Sequence, residues 1–220
     1  VYTKGAAVNY PQINLTVPLN VVSALTSPDG VGGQLTTNYS YSGLRAELYT
    51  GRGVLGFAGM TTTQVQAGTT VRVATTFSQN WPYTGLALTN TKTISSAAGP
   101  NHQISLITNT YACLDTQSSA ACVVGPNKVY FSYASQTLEQ SWDLDGTALP
   151  SLVTTSSYDS YGNALQTATN TYDGYTKTTV NTYTNDTANW LLGRLSQSAV
   201  TSVTPTGTLT RTSAFAYNST

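Results

Sequence analysis

Charge is the scarcest feature of this sequence. Only 8% of its 220 residues are Asp, Glu, Lys or Arg, against roughly 25% in an ordinary soluble domain, so a folded surface has to be covered by Thr, Ser, Asn, Gln and Gly. Nine basic residues balance nine acidic ones. No basic field is present to attract nucleic acid or an anionic membrane, and nucleic-acid partners are excluded on that ground. Long apolar runs are missing as well. A membrane-spanning helix needs a run of about 18 or more apolar residues, and none occurs, so membrane insertion by this segment is not expected. His102 is the only histidine, which excludes a His-rich metal centre and a relay through a second His.

Other scarcities narrow the chemistry further. No GxSxG elbow marks a nucleophile, and His102, beside Pro100-Asn101, reads as a solvated loop histidine. Asp143, Asp145, Asp159 and Asp173 sit among turn residues; paired carboxylates for glycoside cleavage and oxygen ligands for calcium are the functional alternatives. Asp143-Leu144-Asp145-Gly146 has the alternating Asp of a calcium loop but lacks the remaining ligand positions, including the closing bidentate Glu. The expectation is a chain with no catalytic residue, cofactor or metal. Two cysteines, Cys113 and Cys122, bracket the polar stretch from Leu114 to Ala121. They carry no CxxC redox or zinc signature, which leaves a disulfide stapling a loop or two reduced thiols, and the isolated pair is expected to form the bridge. The opening Val1-Tyr2-Thr3-Lys4 has neither an initiator Met nor a signal-peptide core, as in a piece of something longer or a processed product.

What remains is abundant Thr, Ser, Val and Tyr. Alternation of apolar and polar residues, as in Val71-Arg72-Val73-Ala74-Thr75-Thr76-Phe77 and Val180-Asn181-Thr182-Tyr183, is the period of a strand with one buried face. Turn residues punctuate these runs at Pro28-Asp29-Gly30, Gly51-Arg52-Gly53, Ala67-Gly68, Ala98-Gly99-Pro100-Asn101, Gly125-Pro126-Asn127, Asp145-Gly146, Tyr161-Gly162-Asn163 and Asp173-Gly174. β-Branched residues disfavour helix, so at most a short helical turn is expected near Asp186 to Leu192. The fold class is therefore all-β, an extended, curved antiparallel sheet of successive hairpins in one continuous body. Its longest loops are expected at Ser95 to His102 and Gln117 to Asn127. Scarce edge charges leave such a sheet open to edge-to-edge self-association.

A weak internal repeat places Tyr-Asp at the mouth of a turn twice: Ser157-Tyr158-Asp159-Ser160-Tyr161-Gly162-Asn163 and Thr171-Tyr172-Asp173-Gly174-Tyr175-Thr176-Lys177. Tyr158 and Tyr172 would pack a ring on the sheet, Asp159 and Asp173 accept turn amides, and Gly162 and Gly174 permit positive φ, giving two hairpins of one kind. The bland reading is coincidence in a Tyr-rich chain. Trp142 and Trp190 are expected to be mostly buried ahead of turns at Asp145-Gly146 and Gly193. The sequons at Asn14, Asn38, Asn185 and Asn218 arise by chance in so Thr-rich and Asn-rich a chain.

An ordered series of motifs points further. Tyr39-Ser40-Tyr41-Ser42-Gly43-Leu44 is followed by Gly51-Arg52-Gly53-Val54-Leu55-Gly56-Phe57 and Phe77-Ser78-Gln79-Asn80-Trp81-Pro82-Tyr83-Thr84-Gly85. Glu139-Gln140-Ser141-Trp142-Asp143-Leu144-Asp145-Gly146 and Asn185-Asp186-Thr187-Ala188-Asn189-Trp190-Leu191-Leu192-Gly193-Arg194-Leu195 complete it. From about residue 28 onward the series resembles the region ahead of, and leading into, the YD repeats of Rhs, SpvB-like and insecticidal toxin-complex B-component proteins. Residues 1–27 match nothing, 28–156 correspond to the region preceding the repeats, and 157–220 to degenerate YD-like repeats. The resemblance implies a secreted or surface-exposed bacterial virulence protein whose hollow shell encloses a toxic polypeptide. This chain would be a non-enzymatic piece of the wall, partnered by the rest of the parent chain and the enclosed toxin. In the Gly51-Arg52-Gly53 turn the glycines allow a sharp bend and Arg52 can reach a carboxylate or carbonyl. Two rivals remain: a self-assembling extracellular fibre or surface-layer subunit, and a carbohydrate-binding adhesive module using Trp81, Trp142 and Trp190.

Overall fold

The computed structural model describes residues 2–96, 101–125 and 128–218. Among these residues there is no helix, and the strands are β1 (Tyr2–Thr3), β2 (Gln12–Asn14), β3 (Ala24–Pro28), β4 (Gln34–Ser42), β5 (Arg45–Glu47), β6 (Gly53–Gly56), β7 (Gly59–Gln66) and β8 (Thr69–Phe77). They continue as β9 (Ala87–Ser96), β10 (His102–Asp115), β11 (Tyr130–Ser141), β12 (Leu152–Tyr158), β13 (Ala164–Asn170), β14 (Thr176–Asp186), β15 (Leu191–Thr204) and β16 (Gly207–Ala214). The chain is all-β, an extended sheet of successive hairpins, as the alternation and turn spacing predict. The expected helical turn near Asp186 is instead a tight turn over residues 187–190. One pairing departs from a wholly antiparallel sheet: β1 runs parallel to β4, with Tyr2 opposite Tyr41.

The fold divides into two compact units, Val1–Thr108 with Gln140–Leu149, and Asn109–Glu139 with Pro150–Thr220. Two of the cuts fall inside strands β10 and β11, so no linker-like composition marks them. The loops expected after Ser95 and Gln117 do separate β9 from β10 and β10 from β11; residues 97–100 and 126–127, and with them parts of two expected turns, lie outside the described residues. So do Val1 and the Ser219-Thr220 end of the last sequon.

In the first unit β4, β7, β8, β9 and β10 pair in order as antiparallel neighbours, with β3 on β4. Cross-strand rows alternate sides of the pleat: Asn38, Thr63, Arg72 and Thr93 form one row, and Tyr39, Thr62, Val73 and Lys92 the next. Tyr39, Tyr41, Val71 and Val73 thus lie on one side, mixed with Thr62, Thr75 and Lys92, and Asn38, Thr63, Arg72 and Thr93 on the other. β2, β5 and β6 form a separate three-stranded sheet. The chain crosses from one sheet to the other at Gly43, whose φ is +68 and whose Cβ, if present, would lie 2.8 Å from that of Ala58; only glycine meets both conditions. Leu44, Ala46 and Leu55 are buried there.

The second unit continues through β11, β12, β13, β14, β15 and β16 in order. Here Thr154, Thr169, Lys177 and Ser202 share one row and Thr155, Ala168, Thr178 and Thr201 the next. Both sides of the pleat are therefore rich in hydroxyls. Thr154 bonds Thr169 and Thr201 bonds Thr210 through their Oγ1 atoms, the kind of cross-strand pair that holds a sheet without a deep core.

Turn chemistry follows the residues closely. Ala67 and Gly68, at φ 48 and 78, form the two-residue loop between Gln66 and its partner Thr69, and positive φ at both positions matches the right-handed strand twist. Asp29 and Asp159 each close a loop by accepting two backbone N–H groups on Oδ1, from Val31 and Gly33 and from Tyr161 and Asn163. The β15–β16 turn, Thr204-Pro205-Thr206-Gly207, is not among the expected turns, although proline at its second position and glycine at its fourth suit a tight turn.

Candidate functional site

Three of the sequence motifs meet at one buried amide. Gln79, 6% exposed, donates from Nε2 to the carbonyl oxygens of Gly43 at 2.7 Å and Gly56 at 2.8 Å. Those glycines belong to the Tyr39-to-Leu44 and Gly51-to-Phe57 motifs, and Gln79 to the Phe77-to-Gly85 motif. Beside them Phe57 packs edge-on against Tyr2, with centroids 5.5 Å apart, and tilted against Tyr41 at 5.0 Å. Arg52 donates to the buried carboxylate of Glu47 at 2.6 Å. Its guanidinium also lies over the Trp81 ring, 5.5 Å from the centroid, close enough for a cation–π contact. Gly51 and Gly53 flank Arg52 at φ 76 and 66, so the bend and the reach of Arg52 come from adjacent residues.

Of the residues weighed for catalysis, the aspartates hold turns. His102 opens β10 opposite Ile94, a strand position and not the loop its neighbours imply. Asp143 accepts the Leu144 N–H at 2.6 Å and Asp145 the Thr147 N–H at 2.8 Å. That Thr147 N–H is the main cause holding the Asp145 carboxyl below its ordinary value, with the charge of His102 a minor contributor. Among the described residues no group of three or more His, Cys, Asp or Glu is placed to hold a metal ion.

In the second unit Cys113 and Cys122 form a disulfide, with Cα atoms 5.4 Å apart, within the usual span for such a bridge. Asp115, 3% exposed, pairs with Lys128 across the same loop and accepts the Gln117 N–H at 3.0 Å. The Lys128 ammonium is the first cause holding the Asp115 carboxyl below its ordinary value, and the Gln117 N–H the second. Tyr158 packs against Tyr133 and Phe131, with centroids 4.9 and 5.4 Å away. Asp159 Oδ2 accepts from Asn163 Nδ2 at 2.8 Å, and Asn185 Oδ1 accepts the Gly193 N–H at 2.7 Å.

Two expectations are corrected here. The Tyr-Asp repeats do not give hairpins of one kind. The first turn closes from Asp159 N–H to the Asn163 carbonyl, the second from Thr171 N–H to the Tyr175 carbonyl, so Asp173 sits two positions further into its turn than Asp159. Tyr158 consequently lies on the sheet, whereas Tyr172 stands in the turn at φ 58 and is exposed. Gly162 and Gly174 take positive φ in both. Trp190 is not buried either. It occupies the β14–β15 turn itself and is 74% exposed, because the strand resumes at Leu191 and not after Gly193. Trp142 is half-buried, its N–H bonded to the Ile104 carbonyl.

Gln79 escaped sequence reasoning because a single amide in a turn-rich stretch has no periodicity or charge to mark it. The Asp115–Lys128 pair did as well, its members being separated by the disulfide loop. Taken together, these clusters join backbone segments and seal turns.

No protein-family model and no curated protein matches this sequence. Solved structures do. The crystal structure of TcdB2-TccC3 without its hypervariable C-terminal region is similar at a TM-score of 0.60 and 9% identity, over 78% of this chain and 12% of that one. TcdB2-TccC3 with that region is similar at a TM-score of 0.58 and 9% identity, over the same shares of the two chains, 78% and 12%. The Photorhabdus luminescens Tc holotoxin pore, carrying a TccC3 substitution, is similar at 0.55 and 10% identity, over 77% and 12%. The fold is thus shared with a segment of toxin-complex chains. This chain spans only 12% of the length of the TcdB2-TccC3 chain.

Proposed function

We propose that this chain is a structural segment of the wall of a bacterial toxin-complex-like shell of the Rhs and YD-repeat type, secreted or displayed at the cell surface, and that it performs no catalysis. The observation that carries this reading is the likeness to TcdB2-TccC3 at a TM-score of 0.60 over 78% of the chain. The sheet agrees with such a role. It is built of successive hairpins in which Gln79 and Asp159 bond to backbone, Arg52 to Glu47 and Asp115 to Lys128. A wall segment of this kind would have the remainder of the shell and an enclosed toxic polypeptide as partners.

The test uses the parent polypeptide as its gene encodes it. Purified and imaged by electron microscopy, it should form a closed hollow body that shields an internal polypeptide from proteinase K. An open particle whose interior is digested as fast as a denatured control removes the reading. The absence of catalysis is tested separately, by screening the chain against ester, peptide, glycoside and nucleotide substrates. Turnover lost on replacing His102, or Asp143 with Asp145, by Ala would contradict it.

One observation favours the fibre as a second reading. β16 ends the strand order and is exposed along its whole length, with Arg211 its only charge to discourage pairing. Regular polymers of the purified chain in electron micrographs would support that reading over a wall segment.

A further inference from the structure

The tip of the β14–β15 hairpin displays a ring that the fold does not use. Trp190 is 74% exposed at φ 55, a left-handed backbone conformation in which a bulky side chain is an outlier and glycine or asparagine is relaxed. An exposed indole on a strained backbone opposes folding twice, and such strain gathers at ligand sites. Tyr49 and Tyr172 share the conformation, but Tyr49 has a ring neighbour in Tyr10 at 6.2 Å. The Tyr172 turn has an amide of its own, Asn170, which accepts the Tyr172 N–H at 2.8 Å; Trp190 differs from both in presenting an indole.

The same hairpin carries polar side chains that are held in place. Asp186 Oδ1 accepts the N–H groups of Ala188 at 3.1 Å and Asn189 at 3.0 Å, and its Oδ2 accepts Asn189 Nδ2 at 2.8 Å. Arg194 stands 3.9 Å from Asp186 and lies against the Tyr217 ring, 5.7 Å from its centroid. Its Nε is buried without a hydrogen-bond partner among the described residues. Asn185 fixes the next turn of backbone through the Gly193 N–H. Asp186 and Arg194 cancel in charge, so the hairpin that carries Trp190 and Asn189 adds no net field from this pair.

We propose that this tip is a binding site for a neutral saccharide, with Trp190 as the stacking platform and Asn189 and Arg194 as the polar rim. A pyranose presents an apolar C–H face that covers an indole, while its hydroxyls exchange hydrogen bonds with planar amide and guanidinium groups. The Asp186–Arg194 pair sums to zero charge and so supplies no net counter-charge for an ionic ligand. The inference does not depend on the wall reading, since it concerns the tip of one hairpin.

The test is a printed array of neutral, sialylated and sulfated oligosaccharides probed with the purified chain, followed by titration of any neutral hit. Binding to a neutral glycan is expected. Trp190→Phe should retain it, while Trp190→Gly should lose about tenfold or more in affinity and melt at the same or a higher temperature, because glycine removes the ring and relaxes the backbone together. An array without neutral hits overturns the proposal, as does binding confined to acidic glycans or binding that survives Trp190→Gly. A Trp190→Gly chain that melts well below the parent also overturns it, since the ring would then be structural.

Discussion

The two units solve the same problem, holding a Thr-rich sheet together with almost no charge, in different ways. The first unit makes a dry centre where the β2–β5–β6 sheet meets the larger one: Leu44, Ala46 and Leu55 are buried with Glu47, Ser78 and Gln79. In the second, Cys113 and Asp115 are the buried residues among those described. Its long hairpins are held by hydroxyl pairs, the Phe131–Tyr133–Tyr158 rings, a disulfide, an ion pair and carboxylates inside turns. The lesson is that a hairpin sheet with two polar sides depends on its turns, whereas one folded over a second sheet depends on packing.

Substitution in the dry centre is expected to have the largest effect. Leu55→Ala should destabilise the first unit by about 3 to 5 kcal/mol, the range for emptying a buried leucine site, read by denaturant unfolding. Val180→Ala, at an exposed position of β14, should cost under about 1 kcal/mol; equal losses at both sites would erase the contrast between the units. Gln79→Leu comes next, at about 2 to 4 kcal/mol, because it keeps the volume but strips the carbonyls of Gly43 and Gly56 of their shared donor. Hydrogen exchange should then rise at Gly56 to Ala58 before it rises at β14. Reducing the Cys113–Cys122 bridge should cost the second unit about 2 to 3 kcal/mol in the chain-entropy view and leave the first unit's exchange rates unchanged. Asp159→Ala, which removes the acceptor for Tyr161, Asn163 and the Asn163 side chain, should cost about 1 to 2 kcal/mol.

Much of this was legible in the residues. Strand period and turn residues marked most hairpins, and the ordered motifs around Gly43, Gly56 and Phe77 proved to meet in space. What was illegible depends on register. Shifting a turn by two positions moved Tyr172 from the sheet to the tip and left Asp173 in a different role from Asp159, and no spacing rule announces where a hairpin closes. Trp190 was misplaced for the same reason: Gly193 looked like the turn, yet it lies within β15 as a positive-φ residue bonded to Asn185. Gln79 shows the other limit, since a buried amide is recognised only once the carbonyls it must satisfy are in place.

Acid should separate the units with the smallest effect and the most specific signature. The Asp115 carboxyl is held below its ordinary value by Lys128 first and by the Gln117 N–H second. A carboxylate depressed in the folded state stabilises that state above its unfolded value, near 3.9, and the contribution fades as pH falls through the lower folded value. Lys128, raised by the same partner, keeps its charge throughout this window. Loosening should therefore begin below about pH 4 and centre on the Cys113 to Tyr130 loop, followed by exchange of the Ser119 and Cys122 N–H groups, which bond the Asp115 and Cys113 carbonyls. Strands β4, β7, β8 and β9 of the first unit contain no carboxylate, so they should hold their protection over the same interval. Asp115→Asn supplies the control: it should lower protection of the loop at pH 7 and flatten its response to acid. If the loop of that variant still opened on acidification as the parent does, the ion pair would not be what holds it.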